Sequence, residues 1–178
     1  MEYWRRLIEG QTHLFPGGGV DHPIRVAIVD DDEAFRQAMC GWLAWVGDIL
    51  VIGEARGGQE TLRWLRQVRP DVVLIDVDAA SAAQVREIAA DAGVIVLHRE
   101  GQEMRVLEAL RAGALGHLEK HSVRPPQAIA AIRAVSREEA VLSPALAGRI
   151  LDEVVEKHWG DKRVVNVPQP ENLAEGSR

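Results

Sequence analysis

The sequence predicts an α/β fold, an open parallel sheet with helices on both faces, and three observations predict it. Short apolar runs rich in Val and Ile occur at 24–29, 49–52, 72–75 and 94–97, with a weaker one at 115–118. Runs of that kind suit strands buried on both faces rather than half-exposed ones. Helical periods lie between them, so strand and helix alternate five times, the pattern of βαβ units. The composition agrees: of 178 residues 47% are hydrophobic and 27% charged, as in a folded globular protein.

Each helix has its own signal. Phe35, Ala38, Met39, Trp42 and Val46 follow the spacing of one buried face. Leu62, Leu65 and Val68 do the same more briefly. The third helix, within 79–92, is mostly Ala with Val85 and Ile88, and is expected to be short and poorly anchored. Val106, Ala109, Leu110 and Gly113 form a fourth stripe, with Gly113 also a stop, and Pro125-Pro126 opens a fifth helix carrying Ile129 and Ile132. Trp42, Trp45 and Trp64 fall on predicted helices as packing residues, Trp45 off the main stripe and so expected at the surface. Cys40 reads as a small buried residue, not a reactive thiol.

The same signals divide the chain. Residues 1–23 read as an extension, broken by Pro16-Gly17-Gly18-Gly19, ahead of a main domain at 24–142. Ser143-Pro144 starts a further helix at 143–158, with Ala147, Ile150, Leu151 and Val154 in a stripe that folds back on the domain or pairs with a second copy. Residues 159–178 read as a tail expected to be mobile.

Charge and cysteine content exclude several classes. The 21 Lys and Arg against 27 Asp and Glu give a net charge of -6, which argues against direct nucleic-acid binding by this chain. The single cysteine excludes an internal disulfide framework and a four-cysteine zinc site. No apolar run approaches the ~20 residues needed to span a bilayer, and the N-terminus lacks the apolar core of a secretory signal. The expected location is the cytoplasm, with no membrane partner.

The chemistry gathers at strand ends. Asp30-Asp31-Asp32 follows the first strand directly, Asp76-Val77-Asp78 follows the third, and Lys120 follows the fifth. Ligands of an open parallel sheet bind beyond the carboxyl ends of its strands. With strands one, three and five as neighbours, Asp30, Asp31, Asp76 and Lys120 would converge there. Clustered carboxylates repel, and a hard divalent cation such as Mg²⁺ removes that penalty. Asp can accept a phosphoryl group as an acyl phosphate, and Lys can pair with its oxygens. The bland alternative for any one such Asp is a helix cap or turn residue.

Four stretches then resemble a known family. They are 24–32 (IRVAIVDDD), 53–55 (GEA), 69–76 (RPDVVLID) and 109–120 (ALRAGALGHLEK). Over about 24–136 the chain resembles the response-regulator receiver domain of two-component signalling. The last stretch, with Ala140-Val141-Leu142-Ser143-Pro144, is similar to the NarL-type branch. The resemblance implies a flavodoxin-like sheet of five strands in the order 2-1-3-4-5. It implies Asp76 as phosphoacceptor, Asp30 and Asp31 as the acidic pair, Mg²⁺ held by Asp31, Asp76 and the backbone carbonyl of Asp78, and Lys120 on the phosphoryl group. A histidine kinase would be the phosphoryl donor, and a protein partner or an output domain outside this chain the receiver of the signal.

The chain departs from the family pattern at several places. The Thr or Ser switch position falls on His98 and the aromatic switch position on His117. Ala79-Ala80-Ser81-Ala82-Ala83 replaces a Pro-Gly-rich loop, and no helix-turn-helix pattern follows residue 158. His98 could be a passive replacement, a hydrogen-bond donor to a phosphoryl group, a ligand favouring Mn²⁺ or Zn²⁺, or with His117 a pH sensor. A phosphorylation-independent interaction module is the second reading of the whole chain. An Asp-nucleophile phosphatase, from Asp76-Val77-Asp78, is a distant third. A homodimer through helices after residue 100 is the expected self-association.

Overall fold

The computed structural model describes residues 22–144 and 146–148, and the backbone of 164–165. Strands β1 (Ile24–Val29), β2 (Ile49–Ala55), β3 (Val72–Asp76), β4 (Gly93–His98) and β5 (Gly116–Glu119) alternate with helices α1 (Glu33–Leu43), α2 (Glu60–Val68), α3 (Ala82–Ala89), α4 (Glu103–Arg111) and α5 (Pro125–Val135). All strand pairs are parallel, and the five strands lie in the expected order 2-1-3-4-5. β4 therefore stands between β3 and β5. Strands one, three and five are not mutual neighbours, and Lys120 must reach across β4 to meet the acids.

The sheet is larger than expected. Two further two-residue strands, β6 (Ala140–Val141) and β7 (Val164–Val165), extend it beyond β5 in parallel. The Val141 N–H donates to the Leu115 carbonyl at 2.7 Å, which continues the ladder after α5. Val164–Val165 thus belong to the sheet, although they lie in the stretch read as a tail. Residues Pro144 and 146–148 are helical; the rest of the helix expected at 143–158 lies outside the described residues, as do 1–21.

Two apolar layers hold the sheet. Val26, Ile28, Val72, Leu74, Ile95 and Leu97 face α1 and α5. Ala27, Val29, Val73, Ile75, Val94 and Val96 face α2, α3 and α4. All of β3 is buried, which is why its sequence shows a continuous apolar run and no alternation.

The helix faces are partly as predicted. On α1 the buried line is Arg36, Met39 and Leu43; Ala38 is exposed and Phe35 half-buried. The expected face is rotated because Arg36 turns inward to bond the end of β1, which spacing of apolar residues cannot register. α3 is short, at eight residues, but it is anchored: Val85 and Ile88 are buried, and Ser81 and Gln84 form a reciprocal capping box. On α5 the buried positions are mostly small, Ala128, Ala131 and Ala134 beside Ile132 and Val135, so the helix packs close to the sheet. Gly113 ends α4 with φ 114°, a conformation only glycine adopts without strain. Trp45 is 93% exposed. Among the described residues no helix is long and apolar enough to cross a membrane.

Candidate functional site

The carboxyl edge of the sheet collects charge. Asp30 follows β1, Asp76 closes β3 and Lys120 follows β5; they are 1%, 4% and 8% exposed. Lys120 Nζ hydrogen-bonds Asp30 Oδ1 at 2.8 Å and Asp76 Oδ2 at 2.9 Å. The ammonium group lies 4.9 Å from the centre of the Phe35 ring, which shields it from water.

Around this clamp each carboxylate has a distinct setting. Asp30 Oδ1 also accepts from the Asp32 N–H at 2.8 Å. Its Oδ2 lies 2.8 Å from Lys120 Nζ but takes no hydrogen bond among the described residues. Burial pushes the Asp30 carboxyl above its ordinary value, against the pull of Lys120. Burial alone would lower Lys120, but its bonds to Asp30 and Asp76 hold it above the usual lysine range. Asp76 Oδ1 accepts from the Asp78 N–H at 2.7 Å. Arg36 Nη1 donates to the Asp30 carbonyl at 2.6 Å, and its Nε to Glu54 at 3.2 Å, fixing the strand end. Asp32, the third acid of the run, is the N-cap of α1, accepting from the Phe35 N–H at 3.1 Å. That bond holds its carboxyl below the usual value.

Asp31 does not join the clamp. It is exposed, and its Oδ1 accepts from the Gly57 N–H at 3.1 Å. Gly57 is where the β2–α2 loop meets the β3–α3 loop: a Cβ there would lie 2.7 Å from the Ala79 Cβ. The Asp78 carboxylate turns outward to Gln102 Nε2 at 2.8 Å and to Arg105, with Arg99 Nη1 at 3.9 Å. A phosphatase would need that carboxylate as a free general acid, and here it is clamped.

The hard-oxygen donor set matches Mg²⁺ chemically, and the unbonded buried Oδ2 of Asp30 is the atom that such a cation would satisfy. The side chains are not gathered for it: among the described residues no group of three or more His, Cys, Asp and Glu is placed to hold a metal. Asp31 has one oxygen, Oδ1, on the Gly57 N–H.

The two histidines form a chain of bonds. The Ser143 N–H can only donate, so His117 Nε2 (3.1 Å) is bare and the ring proton sits on Nδ1. That nitrogen faces His98 Nε2 at 3.0 Å, and His98 Nδ1 faces the Arg99 carbonyl at 3.0 Å. The partners assign both rings as neutral, each protonated at Nδ1. Burial first, and the neighbouring His98 second, push His117 down to about 4. Both ring nitrogens of His98 are committed, which leaves neither to a phosphoryl group nor to a metal in this arrangement. Cys40 is half-buried, and burial pushes its thiol up to about 11, far from reactive.

Reading the sequence missed four participants: Arg36, Gln102, Arg105 and Ser143. Arg105 and Gln102 sit at the start of a helix with no pattern that marks them, and the Ser143 N–H is a backbone group without a sequence signature. Arg36 carried one usable signal, a basic residue between apolar positions six residues after the strand-end acid.

Comparison with known proteins names the class. Residues 26–133 match the response regulator receiver domain, and the chain belongs to that family. It is 35% identical over 144 residues to the transcriptional regulatory protein LiaR of Bacillus subtilis, covering 78% of this chain and 67% of the relative. It is 27% identical over 130 residues to the nitrate/nitrite response regulator protein NarL of Escherichia coli K12, covering 70% and 60%. A two-component response regulator of the LuxR family from Aurantimonas superposes with a TM-score of 0.64 at 26% identity, covering 75% of this chain and 99% of that one. This is therefore a receiver domain of the two-component system, of the NarL/LuxR type. The chain spans about 60–67% of the length of these curated relatives.

Proposed function

We propose that this receiver takes a phosphoryl group on Asp76 from a histidine kinase in the cytoplasm and passes the change to a protein partner or to an output domain outside this chain. The observation that carries the reading is the buried Lys120 clamp between Asp30 and Asp76. The Lys120 ammonium, 2.9 Å from Asp76 Oδ2, offsets the negative charge of the buried carboxylate that would attack phosphorus. In the transfer a carboxylate oxygen of Asp76 bonds to phosphorus, and the P–N bond of the donor phosphohistidine breaks. The bonding pair leaves with the imidazole, which takes a proton from water. Lys120 then moves with the charge from the carboxylate to a phosphoryl oxygen. Bound Mg²⁺, held by Asp31, Asp76 and the Asp78 carbonyl beside Asp30, would offset carboxylate repulsion and draw charge from the phosphoryl oxygens.

The second reading, a phosphorylation-independent interaction module, is favoured by His98, whose ring nitrogens both have partners. One experiment separates the two. Intact mass after incubation with acetyl phosphate is expected to show one adduct that requires both Mg²⁺ and Asp76 and is absent in Asp76→Asn. No adduct, with a control receiver labelled in parallel, would favour the second reading.

A further inference from the structure

A phosphoryl group on Asp76 raises a question of charge. It brings a charge of about -1.5 to -2 and three acceptor oxygens to a site that already holds Asp30, Asp31 and Asp78. Lys120 supplies one positive charge and lies between Asp30 and Asp76 before any phosphoryl group arrives. His98 supplies no free donor, since both its ring nitrogens are bonded.

A cleft of about 220 Å³ opens beside Asp76 between α3 and α4. Of the described residues lining it, Arg105 is the one cation. It stands in the first turn of α4, and its Nη1 bonds the Asp78 carboxylate. That carboxylate does not depend on Arg105: Gln102 bonds its other oxygen at 2.8 Å, and Arg99 stands at 3.9 Å. Both members of the Arg105–Asp78 pair are partly exposed, so parting them costs little.

On these grounds we infer that Arg105 is a phosphoryl contact of this receiver, exchanging the Asp78 carboxylate for an oxygen of the phosphoryl group on Asp76. A phosphoryl dianion outbids a carboxylate for a guanidinium, and the planar fork suits its oxygens. The inference rests on Asp76 being the phosphoacceptor.

The test uses the full chain with Mg²⁺ and two probes: acetyl phosphate, read by intact mass as adduct and decay, and beryllofluoride, read as affinity. Arg105→Ala is expected to weaken beryllofluoride binding by about tenfold and to shorten adduct lifetime, the loss of one hydrogen bond to a charged group. Arg105→Lys is expected to restore part of both. The same pair in an Asp78→Asn background tells contact from masking. If Arg105 touches the phosphoryl group, Arg105→Ala remains defective there. Full recovery in the double variant would mean that Arg105 merely neutralises Asp78, and would overturn the inference. So would a folded Arg105→Ala that matches the parent in both readouts. A parent that forms no adduct on Asp76 overturns the phosphoacceptor reading itself and this inference with it, an outcome visible before any variant is made.

Discussion

Lys120 sets the charge balance of the site, and its loss has a pH signature. With Lys120 removed, Asp30 and Asp76 remain buried without their cation, a defect worth about 3 kcal/mol or more where a buried pair is broken. The folded-state value of Asp30 is already raised by burial, so its ionised form costs stability as pH rises. Without Lys120 that value rises further. Lys120→Met is therefore expected to lower the urea midpoint at pH 8 and to recover part of the loss at pH 5, as Asp30 takes up a proton. A deficit that is equal at both pH values would show that Lys120 acts through packing alone. At this scale Asp30, Asp76 and Lys120 were legible because each follows a recognisable apolar run. Arg105 was not, because no apolar pattern marks it and the cleft it shares with Asp76 forms only when α3 and α4 pack on the sheet.

The segment after β6 is held at Ser143, and the holding element is a pair of rings. His117 accepts from the Ser143 N–H only while neutral. Its folded value is lowered from 6.5 to about 4, so the contribution is full above pH 6.5 and is lost as pH falls from about 6.5 toward 4. The Ser143 amide, followed by NMR hydrogen exchange against the core amide of Leu74, is expected to lose protection at pH 5 relative to pH 7.5. His117→Phe should lose it at both, whereas His117→Gln, whose carbonyl can accept, should flatten the pH dependence. Equal protection of Ser143 in the parent across this range would sink the idea. The helix faces teach a related lesson. α1 was read from its apolar spacing, yet its buried line includes Arg36, because a hydrogen bond to the Asp30 carbonyl outweighs the cost of burying the guanidinium stem. α3 was read as poorly anchored because alanine gives weak periodicity, and the Ser81–Gln84 capping box supplies what the pattern lacks.

Across the whole molecule, stability and ligand binding are linked. The two apolar layers share one sheet, and the candidate site lies at its carboxyl edge, where β1, β3 and β5 end. A ligand that binds only the folded form adds stability by mass action, about 2.7 kcal/mol at a hundredfold excess over Kd. Mg²⁺ with beryllofluoride is expected to raise the melting temperature of the parent and to leave Asp76→Asn unmoved. Mg²⁺ alone should give a smaller rise, because the acidic side chains among the described residues are not gathered around a cation and must rearrange to bind one. A shift in Asp76→Asn as large as in the parent would place the ligand elsewhere.

The sequence alone determined the alternation of strands and helices, the order of the five main strands by family resemblance, and the acids and lysine at the strand ends. These are local signals: apolar runs, breakers and polar residues adjacent to them in the chain. Only the tertiary structure decided that the Lys120 side chain spans β4 to reach both Asp30 and Asp76, and that β6 and β7 extend the sheet. It also decided that His98 and His117 spend their nitrogens on each other and on backbone groups, and that Arg105 shares a cleft with Asp76. These depend on which groups far apart in the chain the folded sheet brings together, such as His98 with His117 and Lys120 with Asp76, and sequence spacing carries no such distance.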